Sequence, residues 1–423
     1  MRVLTTSLVE YPPLLKILGL KESNPFCGWV FAASQALIDV SKDLTLGVVS
    51  IAPSITKFEK YEYGQYVFYR IPSKGLQRIE KKEIEAAHEI INDFRPDLIH
   101  LNGTEYSLGL EIISANSKDV PVVASIQGLA FVCERYNQGY IDSWEFIKHY
   151  SFRDIVKNEN QFKRNNIMKE RGLLEIETLK KIDHVIGRTE WDKVHTMTIN
   201  PNLAYHFCNE TLRACFYTAK KWRYESCKKY SIFCSNGSLP LKGLHFLLRA
   251  VAIVKQKYPS VELRVAGPNV LSSKWKDRLK LTSYHKYLRF LIKDLALENN
   301  IEFLGFLNQD NMVNEYQKCN VYVLPSCIEN SPNSLCEAQI IGTPCISSIC
   351  GGTQDFIDDD IDGFLYRCEE WEMLADRICL LFSNPLTANN MSQKAILKAQ
   401  VRHDATSNAE SLLNIYKDIL KHE

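Results

Sequence analysis

Short apolar runs alternate with longer amphipathic stretches along most of the chain. Arg2–Ser7, Leu44–Ser50, Tyr66–Pro72, Pro96–Leu101, Pro121–Ile126 and His184–Thr189 each read as a strand. Between them, Gly28–Val40 and Arg78–Phe94 read as helices. In the second, Ile79, Ile84, Ala87, Ile90, Ile91 and Phe94 recur at helical spacing. The alternation resumes at Tyr230–Cys234 and continues through Val261–Ala266, Ile301–Phe303, Val321–Leu324 and Pro344–Ile349. A helix after the first of these carries Leu244, Leu247, Leu248, Val251 and Val254 on its buried face. Strand–helix alternation of this kind predicts parallel α/β sheets. The 423 residues are too many for one such domain, and the basic, polar stretch Ala219–Lys229 is the expected linker.

One stretch concentrates candidate chemistry: PSCIENSPNSLCEAQIIGTPCISSICGG, from Pro325 to Gly352. Glu329 lies in a loop after a strand. Ser331–Pro332 reads as a helix start, with Ser as N-cap and Pro in the first helical position. Gly342 and Pro344 stop the helix, and Gly351–Gly352 form a turn. In a parallel sheet, ligands bind beyond the carboxyl ends of the strands. The amides near Asn333 and Ser334, at a helix start, suit phosphate. Glu329 and Glu337 stand eight residues apart, placed to hold hydroxyl groups on either side of it. Chance alone gives about one or two such Glu pairs in a chain of this length, and Ser334 with Glu337 also fits a capping box. Lys242 sits just before the helix that carries Leu244, Leu247 and Leu248, placed to neutralise a diphosphate. Arg188, at a strand end, is a further phosphate candidate.

Charge and cysteine content narrow the classes. With 51 Lys and Arg against 50 Asp and Glu, the net charge of +1 carries no global field for nucleic acid. The 13 cysteines form no C-x-x-C pair, and Cys345 and Cys350 are too isolated for a metal site. They read as reduced thiols of a cytoplasmic protein. No apolar core of a signal peptide follows Met1, and no run is long enough to span a bilayer. Asp358–Asp360 reads as solvated turn charge and not as a metal site. Trp144–Ile182 reads as a long basic helix in which aromatic residues alternate with Lys and Arg. Its acidic residues make a solvated face the simpler reading.

The Pro325–Gly352 stretch resembles the E-x7-E region of the family 4 glycosyltransferases, which are retaining enzymes of the GT-B fold. The matching features are Pro325–Ser326, Glu329, Glu337–Ala338, Gly342–Thr343–Pro344 and Gly351–Gly352, all in order. The runs GRTEWD, INP and NETLR are similar to a bacterial subgroup that builds surface polysaccharides. The resemblance implies two Rossmann-like α/β domains facing across a cleft, at 1–220 and 221–403, with a helix at 404–423 returning to the first.

The implied reaction is transfer of a hexose-type sugar from a nucleotide-sugar to a hydroxyl of a saccharide or lipid-linked acceptor. No metal and no cofactor are expected, and the leaving phosphate itself takes the acceptor's proton. Lys242 would hold the diphosphate, Glu329 the transferred sugar and Glu337 the ribose. Family members often carry His where Gln127 stands, and a Gly-rich turn where only Gly28 is present. They also often have an Arg upstream of Lys242, where Gly237–Ser238 stands. In related enzymes a basic, aromatic surface contacts the cytoplasmic membrane face, which makes such peripheral contact the alternative for Trp144–Ile182. Two rivals use the same architecture: a non-catalytic partner subunit and a sugar-nucleotide epimerase. A nicotinamide-dependent oxidoreductase is disfavoured because no G-x-G-x-x-G follows an early strand.

Overall fold

A computed structural model describes residues 1–20, 28–53, 55–72 and 77–422. The chain forms two compact units. The first holds Met1–Phe131, Lys169–Arg213 and Arg402–Glu423, and the second holds Val132–Met168 and Ala214–Val401. Against the expected division near residue 220, the segment Val132–Met168 groups with the second unit, and the change of unit falls between Arg213 and Ala214. The expected linker is packed. Trp222 is buried, its amide donates to the Ile341 carbonyl at 2.8 Å, and its indole donates to the Cys319 carbonyl at 2.8 Å.

The first unit is built on an eight-stranded sheet. Its strands are β1 (Arg2–Ser7), β2 (Thr45–Ile51), β3 (Glu59–Tyr63), β4 (Tyr66–Ile71), β5 (Leu98–Asn102), β6 (Val122–Ser125), β7 (His184–Gly187) and β8 (Ala204–Phe207). They lie in the order β3-β4-β2-β1-β5-β6-β7-β8. All pairings are parallel except β3–β4. β3 reads Glu-Lys-Tyr-Glu-Tyr, and this polar edge strand gives no apolar run for sequence reading to find. The helix Ala405–His422 closes this unit. Its Leu412, Leu413, Tyr416 and Ile419 join one apolar cluster with Val3, Tyr11, Leu14 and Leu37.

The second unit has six strands: β9 (Ser231–Cys234), β10 (Glu262–Val265), β11 (Ile301–Phe303), β12 (Val321–Leu324), β13 (Cys345–Ser348) and β14 (Phe364–Tyr366). Their order is β11-β10-β9-β12-β13-β14, all parallel. β9 and β12 are fully buried, as expected when helices cover both faces of a parallel sheet. The chain runs outward from β9 to β10 on one side and returns through β12 on the other. The crevice beyond β9 and β12 is therefore the topological switch point.

Trp144–Ile182 is not one helix. It folds as Ser143–Lys148, Phe152–Val156 and Gln161–Lys181. Ser151 and Asp154 form a capping box that restarts the second piece, and Asn158 takes a left-handed conformation (φ 49°) that ends it.

Candidate functional site

The loops after β9 and β12 bring the two residues expected to be catalytic into contact. Lys242 Nζ lies 2.5 Å from Glu329 Oε1, and Ser326 Oγ donates to the same oxygen at 2.7 Å. Burial alone would lower the Lys242 pKa. The charge and hydrogen bond of Glu329 outweigh it and raise the value, so the ammonium stays charged.

Backbone packing fixes this pair. Lys242 ends a short turn, Pro240–Lys242, and Gly243 caps it at φ 70°. A Cβ on Gly243 would fall 1.7 Å from the Pro325 carbonyl oxygen, so only glycine lets the two loops touch. The Cys327 amide donates to the Leu241 carbonyl at 2.8 Å, which ties the loops together. Gly351 does the same on the other side. At φ 53°, its Cβ would lie 1.9 Å from the Glu329 carbonyl oxygen, to which the Gly352 amide donates at 3.0 Å. The Gly-Gly turn is thus a clamp on the backbone of Glu329.

The helix that follows is Asn333–Ile341, one residue shorter at its start than expected. Pro332 occupies the cap position in an extended conformation, and no side chain caps the helix. Ser331 is therefore not the N-cap. Asn333 Oδ1 is buried without a hydrogen-bond partner among the described residues. Ser334 does not form the capping box. Its hydroxyl accepts from Tyr322 Oη at 2.9 Å, and Tyr322 Oη also lies 2.9 Å from Ser235 Oγ, just beyond β9. Glu337 is buried within the helix, and Tyr316 Oη donates to its Oε2 at 3.4 Å and to the Ser334 carbonyl at 2.9 Å. Lys242, Glu329, Asn333, Ser334 and Glu337 thus all stand on the loop and helix that follow the two switch-point strands.

The remaining candidates lie in the first unit. Arg188 is buried, pairs with Glu210 at 2.7 Å and donates to the Ile126 carbonyl at 2.6 Å. Its guanidinium also lies 5.6 Å from the Trp29 ring centroid. A phosphate there would have to compete with Glu210, a partner that the NETLR run contains but sequence reading gave no role. Gln127 follows β6, close to Gly103 and Glu105 at the end of β5: a Cβ on Gly103 would lie 2.9 Å from Glu105 Oε2 and 3.5 Å from Gln127 Cγ. Burial pushes the Glu105 carboxyl pKa upward against the lowering pull of its amide hydrogen bonds. Gly28 begins the helix Gly28–Val40, where, among the described residues, a Cβ would meet the Arg213 side chain at 3.4 Å. The turn before it, at 21–27, lies outside the described residues. His100 is a core residue. Its ring nitrogens meet Tyr416 Oη at 2.6 Å and Ser125 Oγ at 2.7 Å, while burial and then the charge of Arg188 push its pKa down to about 3.

Asp358 and Asp362 pair with Lys398 at 2.8 and 3.0 Å, and Asp359 accepts the Leu365 amide at 2.8 Å, so these carboxylates organise a turn. Twelve described cysteines are free thiols, nine of them buried. No described helix is long and apolar enough to cross a membrane.

Residues 217–398 match the family model described as "Glycosyl transferases group 1". A D-inositol 3-phosphate glycosyltransferase of Corynebacterium urealyticum is 27% identical over 179 residues, which cover 42% of this chain and 41% of that protein. The chain thus spans about two fifths of that relative's length. An uncharacterized glycosyltransferase of Methanocaldococcus jannaschii is 25% identical over 271 residues, covering 62% of this chain and 58% of that one. Among solved structures, sucrose-phosphate synthase from Thermosynechococcus elongatus superposes with a TM-score of 0.70 at 15% identity, covering all of both chains. Anabaena HepE, solved with UDP and glucose, gives a TM-score of 0.65 at 14% identity over 99% of each. The architecture is the GT-B fold.

Proposed function

We propose that this chain, whose residues 217–398 match the group 1 glycosyl transferases, is a retaining glycosyltransferase. It moves a sugar from a nucleotide-sugar to a hydroxyl of a saccharide or lipid-linked acceptor, in the building of a surface polysaccharide. The observation that carries this reading is the Lys242–Glu329 contact beyond the two switch-point strands, next to a helix start that no side chain caps.

The chemical demand is to stabilise a departing nucleoside diphosphate and an oxocarbenium-like sugar. Lys242 supplies a fixed positive charge for the diphosphate, and the first-turn amides at Asn333 and Ser334 supply donors and the positive end of the helix dipole. On donor binding, Lys242 divides its hydrogen bonds between Glu329 and phosphate. Glu329, still held by Ser326, then orients the sugar through its hydroxyls. Glu337 receives the ribose hydroxyls. Retention follows when the acceptor hydroxyl attacks from the face the diphosphate leaves, its proton passing to the leaving phosphate oxygen. This route requires neither an enzymatic nucleophile nor a metal.

The test is a thermal-shift screen with UDP, GDP, ADP and their sugars on the wild type and Glu337→Ala. The solved complexes of HepE contain UDP, so uridine donors come first. One diphosphate should raise the melting temperature. A ligand at a hundred times its dissociation constant contributes about 2.7 kcal/mol, and the variant should lose that response. If no nucleotide shifts the wild type, the transferase reading fails and a partner-binding subunit takes its place.

A further inference from the structure

The turn that carries Lys242 has backbone packed against both of its sides, and only one side belongs to the switch-point loops. On that side Gly243 lies against the Pro325 carbonyl. On the other stands Gly139, from the segment Val132–Met168 that groups with the second unit. Gly139 is left-handed at φ 61°, and a Cβ on it would overlap the Pro240 carbonyl oxygen and lie 3.1 Å from His245 Cε1. No side chain fits between the two backbones. The Pro240 carbonyl also accepts the Gly243 amide at 2.9 Å, the bond that closes the turn. Gly139, the turn and Pro325 are therefore three backbone layers in direct contact, with Lys242 on the middle one.

His245 joins these layers to the body of the unit. It stands in the first turn of the helix Leu244–Lys257. Its Nε2 lies 2.8 Å from the Gly139 carbonyl oxygen, and its Nδ1 lies 3.3 Å from Tyr284 Oη on the helix Ser283–Asp294. The side chain is buried, and burial pushes its pKa down to about 3, so the ring is neutral and has one N–H. A carbonyl can only accept. Nε2 therefore donates to Gly139, and Nδ1 accepts from Tyr284.

The backbone around Gly139 is held against its local preference. The Ile141 amide donates to the Gln138 carbonyl at 3.1 Å, and both central residues of that turn are left-handed, Gly139 and also Tyr140 at φ 58°. A left-handed tyrosine is strained, and such strain persists only where the surroundings fix it. Here Ile141 is buried beyond the turn, and the Tyr140 ring meets Tyr136 at 5.9 Å and Phe246 at 6.4 Å between centroids. Phe246 and His245 are neighbours on the helix after Lys242, so the strained turn is seated directly on the element that carries the Lys242 turn.

We propose that Gly139 and His245 are positioning residues for the donor diphosphate: together they hold the Pro240–Lys242 turn against the Glu329 loop and so fix where the Lys242 ammonium stands. The ligand in this inference rests on the transferase reading, whereas the packing does not. A displacement of the turn by about 1 Å is enough to spoil the approach of the ammonium to phosphate.

The test is calorimetric titration of the full chain with UDP, GDP and ADP. Gly139→Ala and His245→Ala should each weaken the diphosphate that binds the wild type about tenfold or more. His245→Gln keeps a donor toward Gly139 and should stay within about threefold of the wild type. In a Lys242→Ala background neither alanine substitution should weaken binding further, because both act through that ammonium. Asn300→Ala is the control for stability alone. Asn300 is buried before β11, at the opposite end of the sheet from Lys242, and donates to the Pro259 and Val261 carbonyls at 3.1 and 2.8 Å. This variant should melt earlier and keep the wild-type dissociation constant. If Gly139→Ala does not fold, the two His245 variants decide. Wild-type affinity in the alanine variants overturns positioning, as do losses that multiply with that of Lys242→Ala. If no diphosphate binds the wild type, the transferase reading falls and positioning falls with it; if the wild type binds and the variants bind as well, positioning falls alone.

Discussion

Gly351 and Gly305 both hold a left-handed backbone, at φ 53° and 74°, but their surroundings differ. A Cβ on Gly305 meets nothing within 4 Å, whereas on Gly351 it collides with the Glu329 carbonyl oxygen. Gly305→Ala should therefore cost only the conformational strain, about 1–2 kcal/mol. Gly351→Ala should cost more, because the loop carrying Glu329 must move, and should also cut turnover more than tenfold. Chemical denaturation and initial rates of the two variants make the comparison; equal losses would remove the clamp role of Gly351. Sequence reading named both Lys242 and Glu329 but not their salt bridge. They stand 87 residues apart, and only the β9–β12 pairing makes them neighbours. Arg188 shows the reverse case: its strand-end position was legible, whereas its buried pairing with Glu210 depended on a loop 22 residues away.

At the scale of elements, the helices Lys81–Phe94 and Ser107–Ala115 meet through two buried carboxyls, Glu83 and Glu111. Burial, then the hydrogen bond and charge of Glu83, push the Glu111 pKa well above the usual glutamate range. The folded state thus holds a proton that the unfolded chain releases near its ordinary value, so stability falls as pH rises above that value. Glu111→Gln keeps a donor toward Glu83 and removes the titration. Its melting temperature should match the wild type at about pH 5 and exceed it by about 3 °C or more at about pH 8. Parallel curves across that range would show that the pair shares no proton. Helical spacing put Ile79 and Ile84 on the buried face of the first of these helices. The helix instead starts at Lys81, leaving Ile79 exposed and Glu83 buried, because the neighbouring helix supplies a carboxyl partner that no periodicity encodes.

At the scale of the whole molecule, the first unit is discontinuous: the helix Ala405–His422 completes a core begun by Val3 and Tyr11. Leu412, Leu413, Tyr416 and Ile419 each contribute about 1.5–3 kcal/mol on burial, together about 6–12 kcal/mol. That is comparable to the whole stability of a domain, about 5–15 kcal/mol. A chain ending at Arg213 should therefore melt without a cooperative transition and bind a hydrophobic dye. A sharp melting transition for that fragment would show that the closing helix is dispensable.

The alternation of apolar runs and amphipathic helices was enough, by itself, to determine two parallel α/β sheets, since period and run length reflect which faces must be buried. The spacing of Glu329, Glu337, Gly342 and Gly351 was likewise local and survived folding almost unchanged, because one strand–loop–helix–strand unit holds them all. Tertiary structure decided the rest. It placed Lys242 on Glu329, turned Arg188 toward Glu210 and assigned Val132–Met168 to the second unit. It also left Trp144, Ile155 and Val156 in solvent. These outcomes depend on pairings between distant segments, whose energies are settled by what each side chain meets in space and not by its neighbours along the chain.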